Sequence, residues 1–341
     1  MEAPVNKFDY IRAANTNDAS VLVIDNDQAK FIAGGTNLID LWKYNVTNPA
    51  LLVDINHISE NKAIEEIEGG GIRLGALVSN ADTAYHPLIE QRYPLISRSI
   101  LAGASGQIRN MATNGGNLMQ RTRCYYFYDA ELPCNKRNPG SGCPAINGYN
   151  RIHAILGHSE NCIAVFPSDM CVALAALEAV VNVSDINNKR SIPFEDFHRL
   201  PESAPEVDNT LKHGEIITSI DLPSKGFSSN YSYLKIRDRN SYAFALVSVA
   251  TGLELDGDAI RDARIALGGV AHKPWRVKAA EDALRGKPVT KTSFAQAADI
   301  ILEGAQGFKY NQFKIELAKR AIIRNCMMAL NPELQKPGAQ P

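Results

Sequence analysis

The stretch Phe31-Ile-Ala-Gly-Gly-Thr-Asn-Leu38 decides how the first third of the chain is read. It belongs to an apolar run, AKFIAGG over 29–35, that has the length and composition of a buried strand and is stopped by its Gly pair. Small polar residues follow at once. Glycine admits φ > 0 and lets backbone N–H groups come close to a ligand. Successive N–H groups in such a turn form an anion-binding nest, to which Thr36 and Asn37 add side-chain hydrogen bonds. A second stretch, Thr113-Asn-Gly-Gly-Asn-Leu118, repeats the logic. Two loops of this kind suit a pyrophosphate held from both sides. Each taken alone reads as a tight turn. Neither is a G-x-G-x-x-G or a G-x-x-x-x-G-K-[ST], so neither the Rossmann nor the Walker mechanism applies.

Working outward, ALLVDIN (50–56) is a second buried-strand candidate, and a Gly69–Gly71 turn feeds a third strand at about 72–78. Helical material follows, broken at Pro87 and Pro94. From about 119 to 164 the sequence shows neither alternation nor helical period. A helix then starts clearly, with Ser168 as N-cap and Asp169 in the first turn. SIPFEDF and EIITSIDLP suggest further strands, and SKGFSSN (224–230) has the composition of a linker. Beyond it, YSYLKIRD, AFALVSVATGLEL and AIRDARIALGG read as three strands, the last two joined by an Asp-Gly hairpin. WRVKAAEDAL, SFAQAADIILEGA and NQFKIELAKRAIIRNCMMAL read as three helices. The expected fold class is α+β. Two α/β subdomains fill 1–225, a three-stranded antiparallel sheet with three helices fills 226–333, and the tail 334–341 is expected to be disordered.

The 341 residues carry 36 basic and 37 acidic side chains, without a long basic run, so nucleic acid is not an expected partner. No basic leader with an apolar core opens the chain, and no apolar run approaches the ~18–20 residues that span a bilayer. The expectation is a soluble protein made in the cytoplasm, without membrane contact. Thiols stay reduced there, so clustered cysteines read first as metal-binding or redox-active. Four of the six cysteines, Cys124, Cys134, Cys143 and Cys162, lie in or at the end of the irregular segment, separated by 9, 8 and 18 residues. Such a segment has little apolar surface to offset its chain entropy, about 1–2 kcal/mol per residue for the backbone. Metal–thiolate attachments would hold it without a hydrophobic core. Close C-x₂₋₄-C pairs of structural zinc sites are absent, as is ferredoxin-type C-x₂-C-x₂-C spacing, so spacing alone leaves the metal open. Arg121, Arg123, Lys136 and Arg137 either offset the charge of a metal–thiolate group or are solvated. Tyr125 to Tyr128 would pack the segment against its domain. His153 and His158 are weak candidates nearby. Asp238 and Arg239 read as an ion pair, and Cys171 and Cys326, in apolar helices, as buried free thiols.

Taken in order, FIAGGTNL, GQIRNMATNGGNL, PSDM, YLKIRDRNSYAFALVSVA and ALGGVAHKPWR resemble the FAD-binding subunit of the molybdenum hydroxylases, the xanthine dehydrogenase and aldehyde oxidoreductase family. The resemblance covers about residues 5–330 and is greatest to the flavin subunits of bacterial periplasmic aldehyde oxidoreductases. It implies a PCMH-type FAD-binding domain followed by a domain like that closing the carbon monoxide dehydrogenase flavoprotein. It implies that FAD is contacted by Phe31, Ile32, Ala33, Gly34, Gly35, Thr36, Asn37 and Leu38, and again by Thr113, Gly115, Gly116 and Asn117. By the same resemblance Asp169 binds the ribose or its phosphate region, and Lys235 lies near the flavin ring. In simpler members the second loop runs within about ten residues into the Ser-Asp helix. Here Asn117 and Asp169 are 52 positions apart, and the excess holds the four cysteines. 4-Hydroxybenzoyl-CoA reductases share that addition, and the resemblance implies that it carries a 4Fe–4S cluster.

The implied function is electron transfer with no catalytic acid or base in this chain. A molybdenum-cofactor large subunit oxidises an aldehyde, and a 2Fe–2S small subunit passes the electrons on. The FAD of this chain hands them to an external acceptor. The implied assembly is a heterotrimer, in the cytoplasm or co-exported to the periplasm with a partner bearing a twin-arginine signal. Two rivals are a self-sufficient flavoenzyme on the same fold and a non-enzymatic metal-stapled scaffold. The first needs its own proton donor, and the second leaves both Gly-Gly loops without purpose.

Overall fold

In the computed structural model residues 6–335 are described, so residues 336–341 of the expected disordered tail lie outside the described residues. The chain opens with β1 (Asp9–Arg12), α1 (Thr16–Ile24), β2 (Ala29–Ile32), α2 (Leu38–Lys43) and β3 (Leu51–Asp54). The strands form a parallel sheet in the order β1-β3-β2. The central strand β3 is the one buried along its whole length, as a strand covered on both faces must be, which is why it reads as an unbroken apolar run. Strand β2 stops at Ile32, and the first Gly pair lies between it and α2, at the carboxyl end of the sheet.

A second sheet is antiparallel, in the order β4-β5-β8-β6-β7. Its first strands are β4 (Ile64–Glu66) and β5 (Ile72–Gly75). Helices α3 (Asn80–Tyr85), α4 (Pro87–Arg92), α5 (Pro94–Leu101), α6 (Gly106–Met111), α7 (Asn114–Leu118) and α8 (Tyr125–Tyr128) come next. Both prolines start new helices, where the missing N–H costs nothing. After the cysteine segment come α9 (Asp169–Ala176), β6 (Val180–Ser184), β7 (Lys189–Pro193), α10 (Phe194–Phe197) and β8 (Ile216–Leu222). Ser168 caps α9, accepting from the Cys171 N–H at 3.1 Å. Every residue of α9 from Met170 to Ala176 is buried, because the helix is wedged between α5 and the third sheet.

That third sheet holds β9 (Asn230–Ile236), β10 (Val247–Asp256), β11 (Ala259–Gly268) and β12 (Trp275–Arg276), antiparallel in the order β12-β11-β10-β9. Three strands were expected. The fourth is the start of what reads as a helix: Trp275 and Arg276 pair with Leu267 and Ala266, and α11 (Lys278–Leu284) begins only after them. Helices α12 (Lys291–Ile301) and α13 (Phe313–Met328) complete the unit. The stretch 224–230 is not a free linker. Phe227 is buried, and a Cβ on Gly226 would stand 1.7 Å from the Arg92 carbonyl oxygen. Glycine and serine there serve close packing.

The cysteine segment also has more support than its composition suggests. Cys124, Phe127, Cys134, Cys162 and Ala164 form a small buried cluster with Leu41 of α2. Ile155 and Leu156 join the core of the last domain, and their N–H groups donate to the Val270 carbonyl at 2.9 and 3.1 Å. Fully buried Lys314 of α13 ties the two together, donating to the His153 carbonyl at 2.7 Å and the Gly269 carbonyl at 2.6 Å. Lys314→Met leaves the Gly269 carbonyl unpaired, while the His153 carbonyl keeps the Asn311 amide at 3.1 Å, and is expected to cost about 1–3 kcal/mol. A denaturant melt of the full chain checks this, and an unchanged midpoint would count against the tie.

Candidate functional site

A cleft of ≈ 800 Å³ is lined by both glycine loops, including every residue from Phe31 to Leu38 and Thr113, Gly115, Gly116 and Asn117. The first loop follows β2 of the parallel sheet and the second lies between α6 and α7, and the two segments approach closely. A Cβ on Gly34 would stand 1.8 Å from the Met111 carbonyl oxygen, just ahead of the second loop. Gly35 has φ +68°, the left-handed region that glycine tolerates. The second loop departs from expectation. It is the short helix α7, not a φ > 0 nest. Thr113 caps it, accepting from the Gly116 N–H at 3.2 Å. Its glycines serve close approach: the Gly115 N–H donates to the Ala76 carbonyl at 2.8 Å, and a Cβ there would lie 3.1 Å from the Ala76 Cβ.

Side chains set the chemistry of the wall. The Asn117 amide is spent internally, donating to Asn80 at 2.7 Å and accepting from Ser168 at 2.6 Å and Gln120 at 2.8 Å. It braces the cleft. Asp169 and Lys235 both line it and pair with each other at 2.7 Å, with side chains 9% and 4% exposed. Lys235 is therefore no solvated strand charge. Tyr233 donates to the other Asp169 oxygen at 2.6 Å, and burial, then the Asp169 charge, pushes its phenol well above the usual range. Asn37 accepts the Arg121 N–H at 2.8 Å, which fixes its amide, and its Nδ2 is a buried donor without a partner. A volume of this size, a glycine wall closed to any Cβ and a waiting amide donor fit a dinucleotide cofactor.

The four segment cysteines converge. Cys124, Cys134, Cys143 and Cys162 all line one small cavity of ≈ 10 Å³, about the space of one water. Burial pushes the Cys124 thiol up to about 12. A hydrogen bond from Cys162 lowers Cys143 to about 6 and raises Cys162. His153, also buried, places Nε2 3.1 Å from Cys124 Sγ, and burial lowers its pKa to about 4. Among the described residues no group of three or more His, Cys, Asp or Glu is arranged to hold a metal ion. Four thiols around one void nevertheless suit a soft, thiolate-bonded centre in number and kind. An iron–sulfur cluster is larger than this void as it stands.

Other sequence readings are revised. Asp238 pairs with Arg151 at 2.7 Å, not with Arg239, which donates to the Tyr242 carbonyl. Arg121 and Lys136 pair with Asp208, Arg123 with Asp40, and Arg137 donates to the Leu132 carbonyl. None of these four is simply solvated. Tyr125 is half exposed, while Phe127 is fully buried. Cys171 and Cys326 are buried free thiols. The sequence reading missed Asn80, Asn114, Arg121 and Asp208 as parts of the site. Asn114 is buried and binds the Gly75 carbonyl at 3.2 Å and Thr83 at 2.9 Å. Its place inside the second loop was the available signal. Asp208 lies in an irregular stretch and gave none.

Two glycine loops meeting over a cleft that fits a dinucleotide define a flavoprotein of the FAD-binding type. The chain belongs to the family of FAD-binding subunits of the molybdenum hydroxylases. The FAD binding domain in molybdopterin dehydrogenase matches residues 6–225, and the CO dehydrogenase flavoprotein C-terminal domain matches residues 232–309. The chain is 47% identical over 317 residues to the aldehyde oxidoreductase FAD-binding subunit PaoB of Escherichia coli (strain K12), covering 92% of this chain and 96% of that protein. It is 28% identical over 282 residues to the glyceraldehyde dehydrogenase medium chain of Sulfolobus acidocaldarius, 82% of each. Carbon monoxide dehydrogenase from Hydrogenophaga pseudoflava shares the fold, with a TM-score of 0.75 at 23% identity over 96% of this chain and 98% of that one. No helix among the described residues is long and apolar enough to cross a membrane.

Proposed function

We propose that this chain is the FAD- and 4Fe–4S-bearing electron-transfer subunit of a heterotrimeric molybdenum-dependent aldehyde oxidoreductase. Its partners are a large subunit with the molybdenum cofactor and a small subunit with 2Fe–2S centres. It delivers the electrons to an external acceptor. The observation that carries the reading is the placement of the four cysteines around one cavity, next to the glycine-lined cleft: Leu41 lines the cleft and packs in one buried cluster with Cys124, Cys134 and Cys162. The 47% identity to an aldehyde oxidoreductase FAD-binding subunit supports the substrate class.

Bound FAD supplies the exchange between one- and two-electron transfer. The chain's own residues bind and orient. Gly34, Gly35 and Gly115 admit the backbone where a side chain would not fit, and the Asn37 amide offers a donor. The Asp169–Lys235 pair presents a nearly neutral, buried unit at the wall. Cys124, Cys134, Cys143 and Cys162 would be the cluster ligands, with His153 donating to or accepting from the first of them.

Expressed alone, the chain is expected to bind flavin without oxidising aldehydes in the presence of an artificial acceptor. Co-expressed with its partners, it should elute as one larger species containing Mo, Fe and FAD. Aldehyde oxidation by the isolated chain would overturn the division of labour. By the same reading the complex works in the cytoplasm, or in the periplasm after co-export, and cell fractionation distinguishes the two.

A further inference from the structure

The cysteine cavity and the cleft are joined by a chain of charges, buried at Lys136 and half-buried at Asp208 and Arg121. Lys136 lies between Cys134 and Cys143 in sequence and lines the cysteine cavity. Its side chain is 2% exposed. Nζ donates to the Pro205 carbonyl at 2.6 Å and to Asp208 Oδ1 at 2.5 Å. Asp208 lines the cleft, and its Oδ2 accepts from Arg121 Nε at 2.6 Å. The Arg121 guanidinium also lies 4.8 Å from the ring centroid of Phe127, a second wall residue of the cysteine cavity. The backbone N–H of Arg121 in turn holds Asn37 Oδ1 at 2.8 Å.

Geometry makes this chain directional. Asn37 has one carbonyl oxygen and one NH₂. With Oδ1 taken by Arg121, the NH₂ is fixed on the opposite side, and it is the unpartnered donor of the first glycine loop. The Arg121 backbone N–H holds that amide, and its side chain is anchored by Asp208, with the Glu206 carbonyl at 3.4 Å and the Phe127 ring as weaker contacts. Asp208 sits between two cations and is held below the usual carboxylate range by them against the opposing effect of burial. A carboxylate in that place without Lys136 would keep one partner and lose its direction, because Arg121 alone leaves Oδ1 unpaired.

We propose that Lys136 is a positioning residue for the cofactor. It acts from the cysteine segment through Asp208 and Arg121 to orient the Asn37 amide toward an acceptor oxygen of bound FAD. The inserted segment thereby contributes to flavin binding without touching the flavin. This rests on the FAD cleft and not on the identity of any metal in the cysteine cavity.

The test uses the complete co-expressed complex with Lys136→Met, Asp208→Asn and the double variant. Flavin per chain, flavin release along a chaotropic-salt titration, the visible flavin band and iron per chain are measured together. Each single variant is expected to weaken FAD retention by about tenfold or more, the equivalent of about 1.4 kcal/mol. The double variant should be no weaker than the worse single, since both break one link. The flavin band of any retained FAD should stay at the parent position, because the Asn37 loop faces the pyrophosphate, and iron content should stay at the parent level. FAD retention within twofold of the parent in Lys136→Met would overturn the proposal. So would multiplying effects in the double variant, or joint loss of iron and flavin, which would make Lys136 a plain support of its own segment. If Lys136→Met does not fold, Asp208→Asn alone decides by the same twofold limit. A parent without iron would instead remove the cluster reading and leave the flavin comparison intact.

Discussion

Replacing any one of Cys124, Cys134, Cys143 or Cys162 with serine is expected to remove most or all of the iron from the protein. On the proposed 4Fe–4S reading the parent should carry about four irons in this chain, whereas a 2Fe–2S centre on the same four thiolates would give about two. Serine keeps the size of the side chain and removes the soft donor, so the change reads ligation and not packing. Cys171→Ser and Cys326→Ser serve as controls. Both thiols are buried in helices, with burial pushing each up to about 12, and neither lines the cysteine cavity. Metal analysis of the isolated chain decides. Stoichiometric zinc without iron, or iron retained in all four variants, would end the cluster reading. Flavin should remain in part, because Leu41 and Lys136 couple the two cavities without making them one.

Gly34→Ala should abolish flavin binding at ordinary concentrations. The added Cβ meets the backbone carbonyl of Met111 at 1.8 Å, and a backbone atom cannot turn aside as a side chain can. One loop must move off the other. With about 1–3 kcal/mol of overpacking strain placed on the contact that shapes the cleft, FAD affinity should fall by about a hundredfold. Gly35→Val should act similarly through φ +68°, which a β-branched residue avoids. The variants should still show the parent's far-UV spectrum and purify with little flavin. Full flavin occupancy in both would dismiss the loop assignment. Gly106→Ala is the control, as nothing lies within 4 Å of a Cβ there.

Most elements were legible in the sequence because each carries its own local cause. Pro87 and Pro94 mark helix starts, Ser168 caps α9, and Asp256-Gly257 turns the β10–β11 hairpin with Gly257 at φ +56°. The misreadings share one cause, which is that composition does not report packing. The 224–230 stretch looks like a linker because close packing against Arg92 demands small residues. Trp275 and Arg276 look like a helix start because a two-residue strand has no period. In the same way, α7 reads as a loop because its two glycines hide a five-residue helix.

For the site, the sequence by itself determined which backbone stretches line the cleft and which thiols meet at one cavity. Glycine pairs and clustered cysteines are chemical requirements that no distant residue can replace. Tertiary structure alone decided how the side chains are spent. Asp169 and Lys235, 66 positions apart, meet in an ion pair, and Asn117 is consumed by Asn80 and Ser168. Lys136 finds Asp208 across 72 positions and leaves solvent entirely. Charge pairing inside a fold depends on distance in space, and burial makes an unpaired charge costly enough to select one partner. Sequence separation carries no trace of that choice.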